Sequence, residues 1–164
     1  MPKLLILVGL PHSTRDEYAR WMRKINHLTG GNYEVISRDV CREYIFGPYY
    51  NLSPLEEKEV ERDFQFKVQK AYLCRMDVIH NSTNCSEWMI DRIIAESPIS
   101  YDIKVKFFDV PLYKAIWRNI IKYMTRGRWI PVHILIRLKH SYDSINKQKY
   151  DRYNNNLTIT QAHW

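Results

Sequence analysis

The 164-residue chain lacks the features that mark several classes of protein. Its three cysteines are odd in number and form no C-x-x-C pair, which argues against a disulfide framework and indicates reduced thiols in a cytosolic protein. No apolar stretch approaches the length of a membrane span, and the N-terminal apolar run is too short for the core of a signal peptide. The histidines lack the spacing of a metal-binding set. We therefore expect one cytoplasmic domain with no membrane partner.

Apolar runs and helix signals alternate along the chain, which predicts an α/β fold with helices on both faces of a mostly parallel sheet. Strands are predicted at residues 3–8, 33–37, 76–80 and 102–108, and helices at residues 15–28, 39–46, 54–75, 86–96, 111–124 and 131–147. Ser53, then Pro54 and Glu56, is typical of a capped helix start. The domain is expected to end near residue 149, before a tail at 150–164 that is either flexible or adds an edge strand.

Residues 9–16, GLPHSTRD, follow the first predicted strand and have the outline of a phosphate-binding loop. Gly9 keeps the first glycine of the consensus G-x-x-x-x-G-K-[ST]. Thr14, Arg15 and Asp16 replace the second glycine, the lysine and the metal-binding hydroxyl. Thr14 restricts the turn, and Arg15 keeps the positive charge on a bulkier, forked group.

Asp16 places a carboxylate beside the expected nucleotide phosphates, where it either ligates Mg²⁺ or caps the following helix. Backbone N–H groups of such a turn and the start of the next helix attract phosphate. The alternative is a strand, a turn and a helix with an aspartate cap and no ligand. The candidate nucleotide-binding residues are Gly9, His12, Ser13, Thr14, Arg15 and Asp16.

A second candidate site is the segment SRDVCR, which follows the second predicted strand. In parallel sheets ligands bind at the carboxyl ends of the strands, and both this segment and the loop 9–16 fall there. Phosphoryl transfer to a hydroxyl needs a carboxylate to accept the proton and cations to hold phosphates. Asp39 can supply the carboxylate, and Arg42 lies three residues on, on the same helix face. The alternative is that Asp39 caps the helix and Arg42 is a surface cation.

Positive charge is concentrated in the last third of the chain. Residues 112–152 hold ten Lys/Arg and two Asp/Glu, a surplus of +8 against a total of +7. Basic groups attract phosphate backbones and aromatic rings stack on bases, so this segment predicts nucleic-acid binding. An acidic protein partner or a solvated basic helix would fit the same pattern. The candidate nucleic-acid-binding residues are Arg38, Lys114, Arg118, Lys122 and Arg128, while Leu112, Ile116, Ile120 and Met124 are expected in the core and Trp117 is expected to pack.

The chain resembles the kinase domain of bacteriophage polynucleotide 5′-kinase, a P-loop kinase. The resemblance rests on Gly9 and Pro11 after the opening strand, VISRDVCREYIFG after the second, STN after the third, FFDVP after the fourth, and the later TRGRWIP. These pieces occur in order over nearly the whole of residues 1–147. The resemblance implies a P-loop kinase-like three-layer sandwich with an arginine-containing lid at about residues 125–130.

By the same resemblance, Asp39 is the general base, Arg42 contacts the acceptor or the transition state, and Arg126 is the lid arginine that clamps nucleotide phosphates. ATP and Mg²⁺ are the implied cofactors. Ser82 stands where the family has an acidic residue that helps at the acceptor site. The acceptor base and the lid arginine are therefore kept, whereas the loop that holds the donor phosphates is altered.

These patterns predict a degenerate polynucleotide-kinase-like protein, phage-encoded and acting in the infected bacterial cytoplasm. It would bind nucleic acid, as a single strand or an end, or nucleotide, with phosphotransfer impaired or lost. One alternative is an active 5′-hydroxyl polynucleotide or nucleotide kinase that uses ATP. Another is a phage protein that binds and inhibits a host factor. A homo-oligomer is compatible with all three.

Overall fold

The computed structural model describes residues 1–28, 30–31, 33–47, 52–126 and 129–153, with only the backbone of residue 126. Four strands are present: β1 (Lys3–Gly9), β2 (Tyr33–Ile36), β3 (Asp77–Asn81) and β4 (Asp102–Phe108). The helices are α1 (Arg15–Leu28), α2 (Arg38–Phe46), α3 (Pro54–Leu73), α4 (Glu87–Glu96), α5 (Leu112–Arg126) and α6 (Val132–Asp143), followed by a 3-10 helix (Lys147–Tyr153). None of these helices is long and apolar enough to cross a membrane.

The four strands form one parallel sheet in the order β2-β3-β1-β4. Because parallel neighbours need crossover connections, helices cover both faces, which confirms the predicted α/β sandwich. β1 is central and six of its seven residues are buried, as its continuous apolar run predicts.

The two faces of the sheet are covered unequally. On one face α1 packs with Ala19 against Leu5, Leu7 and Ile79. The other face carries the larger core, to which α3, α4, α6 and the 3-10 helix contribute side chains. The carboxyl ends of all four strands lie at one edge of the sheet, which is where ligands bind in folds of this kind.

Local signals fixed several element boundaries. α3 begins behind a complete capping box, in which Ser53 and Glu56 bond each other's backbone N–H, as predicted. β4 has the predicted bounds. The last predicted helix is shorter than expected, because α6 ends at Asp143 and a separate 3-10 helix follows.

That 3-10 helix carries the packed chain past residue 149, where we expected the tail to begin. Tyr150 is completely buried, and its hydroxyl donates to the Asp91 carboxylate of α4 at 3.0 Å. Lys149 Nζ lies 2.5 Å from the same carboxylate. The expected edge strand in the remaining tail lies outside the described residues.

Two side chains of α5 were expected to pack and do not. Met124 is 79% exposed and Trp117 is 63% exposed. The helix instead buries Ala115 and Asn119. The helix was predicted correctly, but the face of α5 that packs against the core is not the predicted one. Several of its apolar side chains therefore face solvent.

Candidate functional site

The loop that follows β1, residues Gly9–Asp16, is called the donor loop here. It lies at the carboxyl edge of the sheet beside the end of β3, since the Gly9 N–H donates to the Thr83 carbonyl at 3.3 Å. β2 lies on the far side of β3 from β1, so the segment after β2 is about 10 Å from the donor loop, two strand spacings away. The end of β3 separates the two candidate sites.

The donor loop makes a tight turn against β4. A Cβ at Gly9 would lie 3.0 Å from both Phe108 Cβ and Ser13 Oγ, so only glycine fits without displacing a neighbour. His12 adopts φ +64°, in the left-handed region that favours glycine. At His12 the backbone of the turn therefore has a conformation typical of glycine, although the residue carries a bulky side chain.

Arg15, which replaces the P-loop lysine, points into the protein. It is only 2% exposed. Its Nη1 donates to the Gly9 carbonyl at 3.1 Å and to the Ser82 carbonyl at 2.5 Å. The guanidinium thus joins the ends of β1 and β3.

Asp16, the candidate Mg²⁺ ligand, is held from two sides. Its Oδ1 accepts from Asn81 Nδ2 at 2.9 Å, and its Oδ2 lies 4.0 Å from Lys122 Nζ of α5. Asn81 is the last residue of β3, at the carboxyl edge of the sheet. The carboxylate, which is 30% exposed, therefore has neighbours on both β3 and α5.

His12 is tied to α5 by a buried amide. Its Nε2 lies 3.1 Å from Asn119 Oδ1, so the histidine donates. Asn119 also accepts from the Ile130 N–H at 3.1 Å and donates to the Ile130 carbonyl at 2.8 Å. Arg118 donates to the His12 carbonyl at 3.0 Å. Asn119 therefore links the donor loop to the chain beyond α5, a role that its sequence position does not signal.

These contacts do not fit a Mg²⁺–nucleotide bound in the P-loop manner. That mode needs a cation free to reach the β- and γ-phosphates and a neutral hydroxyl on the metal. Here Nη1 of the buried Arg15 donates to two backbone carbonyls, and Asp16 is bonded to Asn81 and lies near Lys122. No group of three or more metal-ligating side chains occurs among the described residues.

The segment after β2 brings the predicted residues Asp39 and Arg42 together. Asp39 and Arg42 lie in the first turns of α2, with Arg42 Nη1 2.7 Å from Asp39 Oδ1. Arg42 also makes a forked contact with Glu57 of α3, from Nε at 2.9 Å and from Nη2 at 2.8 Å. Glu57, in the first turn of α3, was not predicted as part of this site. The Asp39 carboxyl remains 42% exposed, within reach of a substrate.

Arg38 is paired with α3 in the same way. Its Nη2 lies 2.8 Å from Glu61 Oε2, one helical turn beyond Glu57, and its guanidinium lies 5.2 Å from the centre of the Phe64 ring. Two arginines on α2 thus meet two glutamates on α3. The pairing fixes the orientation of the arginines and offsets most of their charge.

A small cleft of about 60 Å³ opens between α3 and α4 beside Arg38. His80 forms part of its floor, with its ring edge against Phe64 and its Nδ1 3.3 Å from Asn84 Nδ2. Burial, and then the positive charge of Arg38, lowers the pKa of His80 to about 3. The cleft is smaller than a typical ligand pocket, so a nucleotide would rest on it rather than enter it.

The predicted basic residues of α5 divide into two groups. Arg118 and Lys122 face the donor loop, whereas Lys114 is exposed and forms no ion pair with any residue that the structure describes. The side chains of Arg126 and Arg128, and with them the predicted lid cation, lie outside the described residues. Two of the predicted basic residues of α5 therefore contact the donor loop of the protein itself.

Comparison with solved structures gives matches to P-loop kinase folds. A chain of the Pnkp1/Rnl/Hen1 RNA repair complex is 28% identical, with a TM-score of 0.76 over 92% of this chain and 46% of that one. A chain in another structure of the Pnkp1/Rnl/Hen1 complex is 31% identical, with a TM-score of 0.60 over 71% of this chain and 38% of that one.

A third match shows the fold alone. Kti12 of Chaetomium thermophilum, in complex with ADP-AlF3, is 17% identical, with a TM-score of 0.63 over 88% of this chain and 82% of that one. The present chain spans less than half the length of the two RNA repair chains. No protein-family model matches it, and no curated protein matches its sequence.

Proposed function

We propose that this protein is a degenerate polynucleotide-kinase-like protein that binds nucleic acid and has lost or nearly lost phosphotransfer. The observation that carries the proposal is the inward position of Arg15, whose guanidinium bonds the Gly9 and Ser82 carbonyls. A side chain committed to two buried carbonyls has no donor left on that nitrogen for a phosphate. Moving it outward would leave those carbonyls without their partner.

The acceptor side supports the nucleic-acid part of the proposal. Asp39 and Arg42 are paired, and Arg38 borders the cleft between α3 and α4. The similarity to chains of an RNA repair complex makes RNA strands as well as DNA strands the ligands to test. Phage origin and a cytoplasmic setting belong to the same proposal, on the resemblance to the phage kinase.

Titration calorimetry with ATP and Mg²⁺ tests the donor side. We expect no binding to the native chain at millimolar nucleotide. The matched variant carries His12→Gly, Thr14→Gly, Arg15→Lys and Asp16→Ser together, and we expect it to gain metal-dependent binding. Micromolar, metal-dependent binding of ATP by the native chain would overturn the proposal for the donor site.

Titration with single-stranded oligonucleotides tests the acceptor side. A protein that contacts six to ten phosphates should lose on the order of a thousandfold or more in affinity between 50 and 200 mM salt. Absence of any salt-dependent affinity for DNA or RNA strands would overturn the nucleic-acid part.

The second candidate is an active 5′-hydroxyl kinase, which the intact Asp39–Arg42 pair at 2.7 Å favours. In that case the native chain would transfer phosphate from ATP to a 5′-hydroxyl oligonucleotide. Asp39→Asn would abolish the transfer, because the amide cannot accept the hydroxyl proton. Glu43→Gln, an exposed change on the same helix, is the control.

A further inference from the structure

The outer face of α5 carries an unusual apolar stripe. Tyr113 is 68% exposed, Trp117 63%, Ile121 43% and Met124 79%. Their spacing of four, four and three residues places them on one side of the helix over about 16 Å. Contiguous exposed apolar side chains of this kind mark interaction surfaces more often than they occur by chance.

The stripe lies in a segment of the sequence that has no acidic residues. From Val110 to Tyr142 there is no Asp or Glu, and Lys114 lies beside the stripe, between Tyr113 and Trp117 along the helix. The arginines of α2 differ, because Glu57 and Glu61 of α3 offset their charge. Lys114 is thus an exposed cation beside the exposed rings, and it forms no ion pair with any residue that the structure describes.

We propose that this face of α5 is a stacking platform for single-stranded nucleic acid. Bases would lie on Tyr113 and Trp117, whose Cβ atoms are about 6 Å apart at this spacing. Lys114 would contact the phosphate backbone as it passes between them. The proposal rests on the nucleic-acid binding proposed above and places it on a surface distinct from the cleft beside Arg38.

Charge complementarity favours a nucleic-acid strand over a protein partner. A strand offers aromatic faces and negative charges together, which matches exposed rings with a lysine beside them, three residues before Trp117 on the helix. An apolar protein surface would match the stripe but would leave the lysine without an opposite charge.

The test uses the full chain and a labelled 12-nucleotide single strand, titrated at several salt concentrations. Trp117→Ala should weaken binding between about fivefold and about 150-fold, the range for loss of one base–aromatic stack, with an unchanged salt slope. Trp117→Phe should keep most of the affinity, because it keeps a ring. Lys114→Gln should reduce the salt slope by about 0.7, the value for one phosphate contact on a single strand.

Phe66→Ala is the matched control. Phe66 on α3 is also an exposed aromatic residue, and its exposed fraction of 63% equals that of Trp117. Binding should therefore be unchanged in this variant.

Three outcomes would overturn the inference. If Trp117→Ala binds like the native chain, the strand lies elsewhere and the proposed function stands without this platform. If the native chain binds no strand at any salt concentration, the proposed function fails as well. If Trp117→Ala instead abolishes self-association in sedimentation while strand affinity is intact, the stripe is an interface between two copies of the chain.

Discussion

Acidification should destabilise this protein through one buried histidine. His80 lies at the floor of the cleft between α3 and α4, against Phe64. Burial first, and the charge of Arg38 second, lowers its pKa from 6.5 to about 3. The folded protein therefore keeps the imidazole neutral at a pH where the unfolded chain protonates it.

The size of the effect follows from linkage. Between pH 6.5 and pH 3 the unfolded state binds more protons than the folded state, so stability falls as the pH falls through that window. Each pH unit is worth about 1.4 kcal/mol. Between pH 7 and pH 5 the free energy of unfolding should fall by about 2 kcal/mol, because the histidine of the unfolded chain is protonated over the roughly 1.5 pH units below its pKa of 6.5. For a chain of this length that corresponds to roughly 4–8 °C in melting temperature.

Urea unfolding at pH 7 and pH 5 measures the loss directly. His80→Gln removes the titrating group, so the free energy of unfolding of this variant should depend less on pH. His140→Gln, an exposed histidine on α6, should leave the dependence as in the native chain. Equal stability of the native chain at both pH values, or an unchanged slope in His80→Gln, would refute the reasoning.

Two further predictions concern side chains that link elements. Asn119→Ala removes a buried amide with three hydrogen bonds and should cost about 2–4 kcal/mol in urea unfolding, whereas the exposed Asn146→Ala should stay within about 0.5 kcal/mol. If Asn119→Ala lowers the free energy of unfolding no more than Asn146→Ala does, the hydrogen bonds of Asn119 do not stabilise the protein. Glu57→Gln should raise the affinity for oligonucleotides, because it frees the charge of Arg42 for phosphate. The control Glu43→Gln should raise it less. A larger gain in Glu43→Gln than in Glu57→Gln would contradict a role for the Arg42–Glu57 contact.

The sequence predicted best those elements whose signals are local. The start of α3 is encoded by Ser53, Pro54 and Glu56 within four residues, and the structure has that capping box. β4 is a short apolar and charged run between clear breaks, and both of its bounds were predicted. Such features need no knowledge of what the element packs against.

The missed residues of the candidate site depend on distant elements. Glu57 and Asn119 are ordinary polar helix residues until α3 meets α2 and α5 meets the donor loop. Period alone also cannot say which side of a helix is buried. Trp117 and Met124 were therefore placed in the interior, although their face of α5 is exposed.

His12, Arg15 and Asp16 of the donor loop each contact a different part of the fold. The carboxylate at Asp16 is matched by Asn81 and Lys122, and the imidazole at His12 by Asn119. Arg15 in turn bridges two strand ends. Arg15 Nε also lies 3.9 Å from Asp16 Oδ1, so the contributions of these neighbouring side chains are not expected to be additive. On the function proposed above, restoring a nucleotide site should therefore require His12→Gly, Thr14→Gly, Arg15→Lys and Asp16→Ser together, because the native side chains join the loop to β3 and α5.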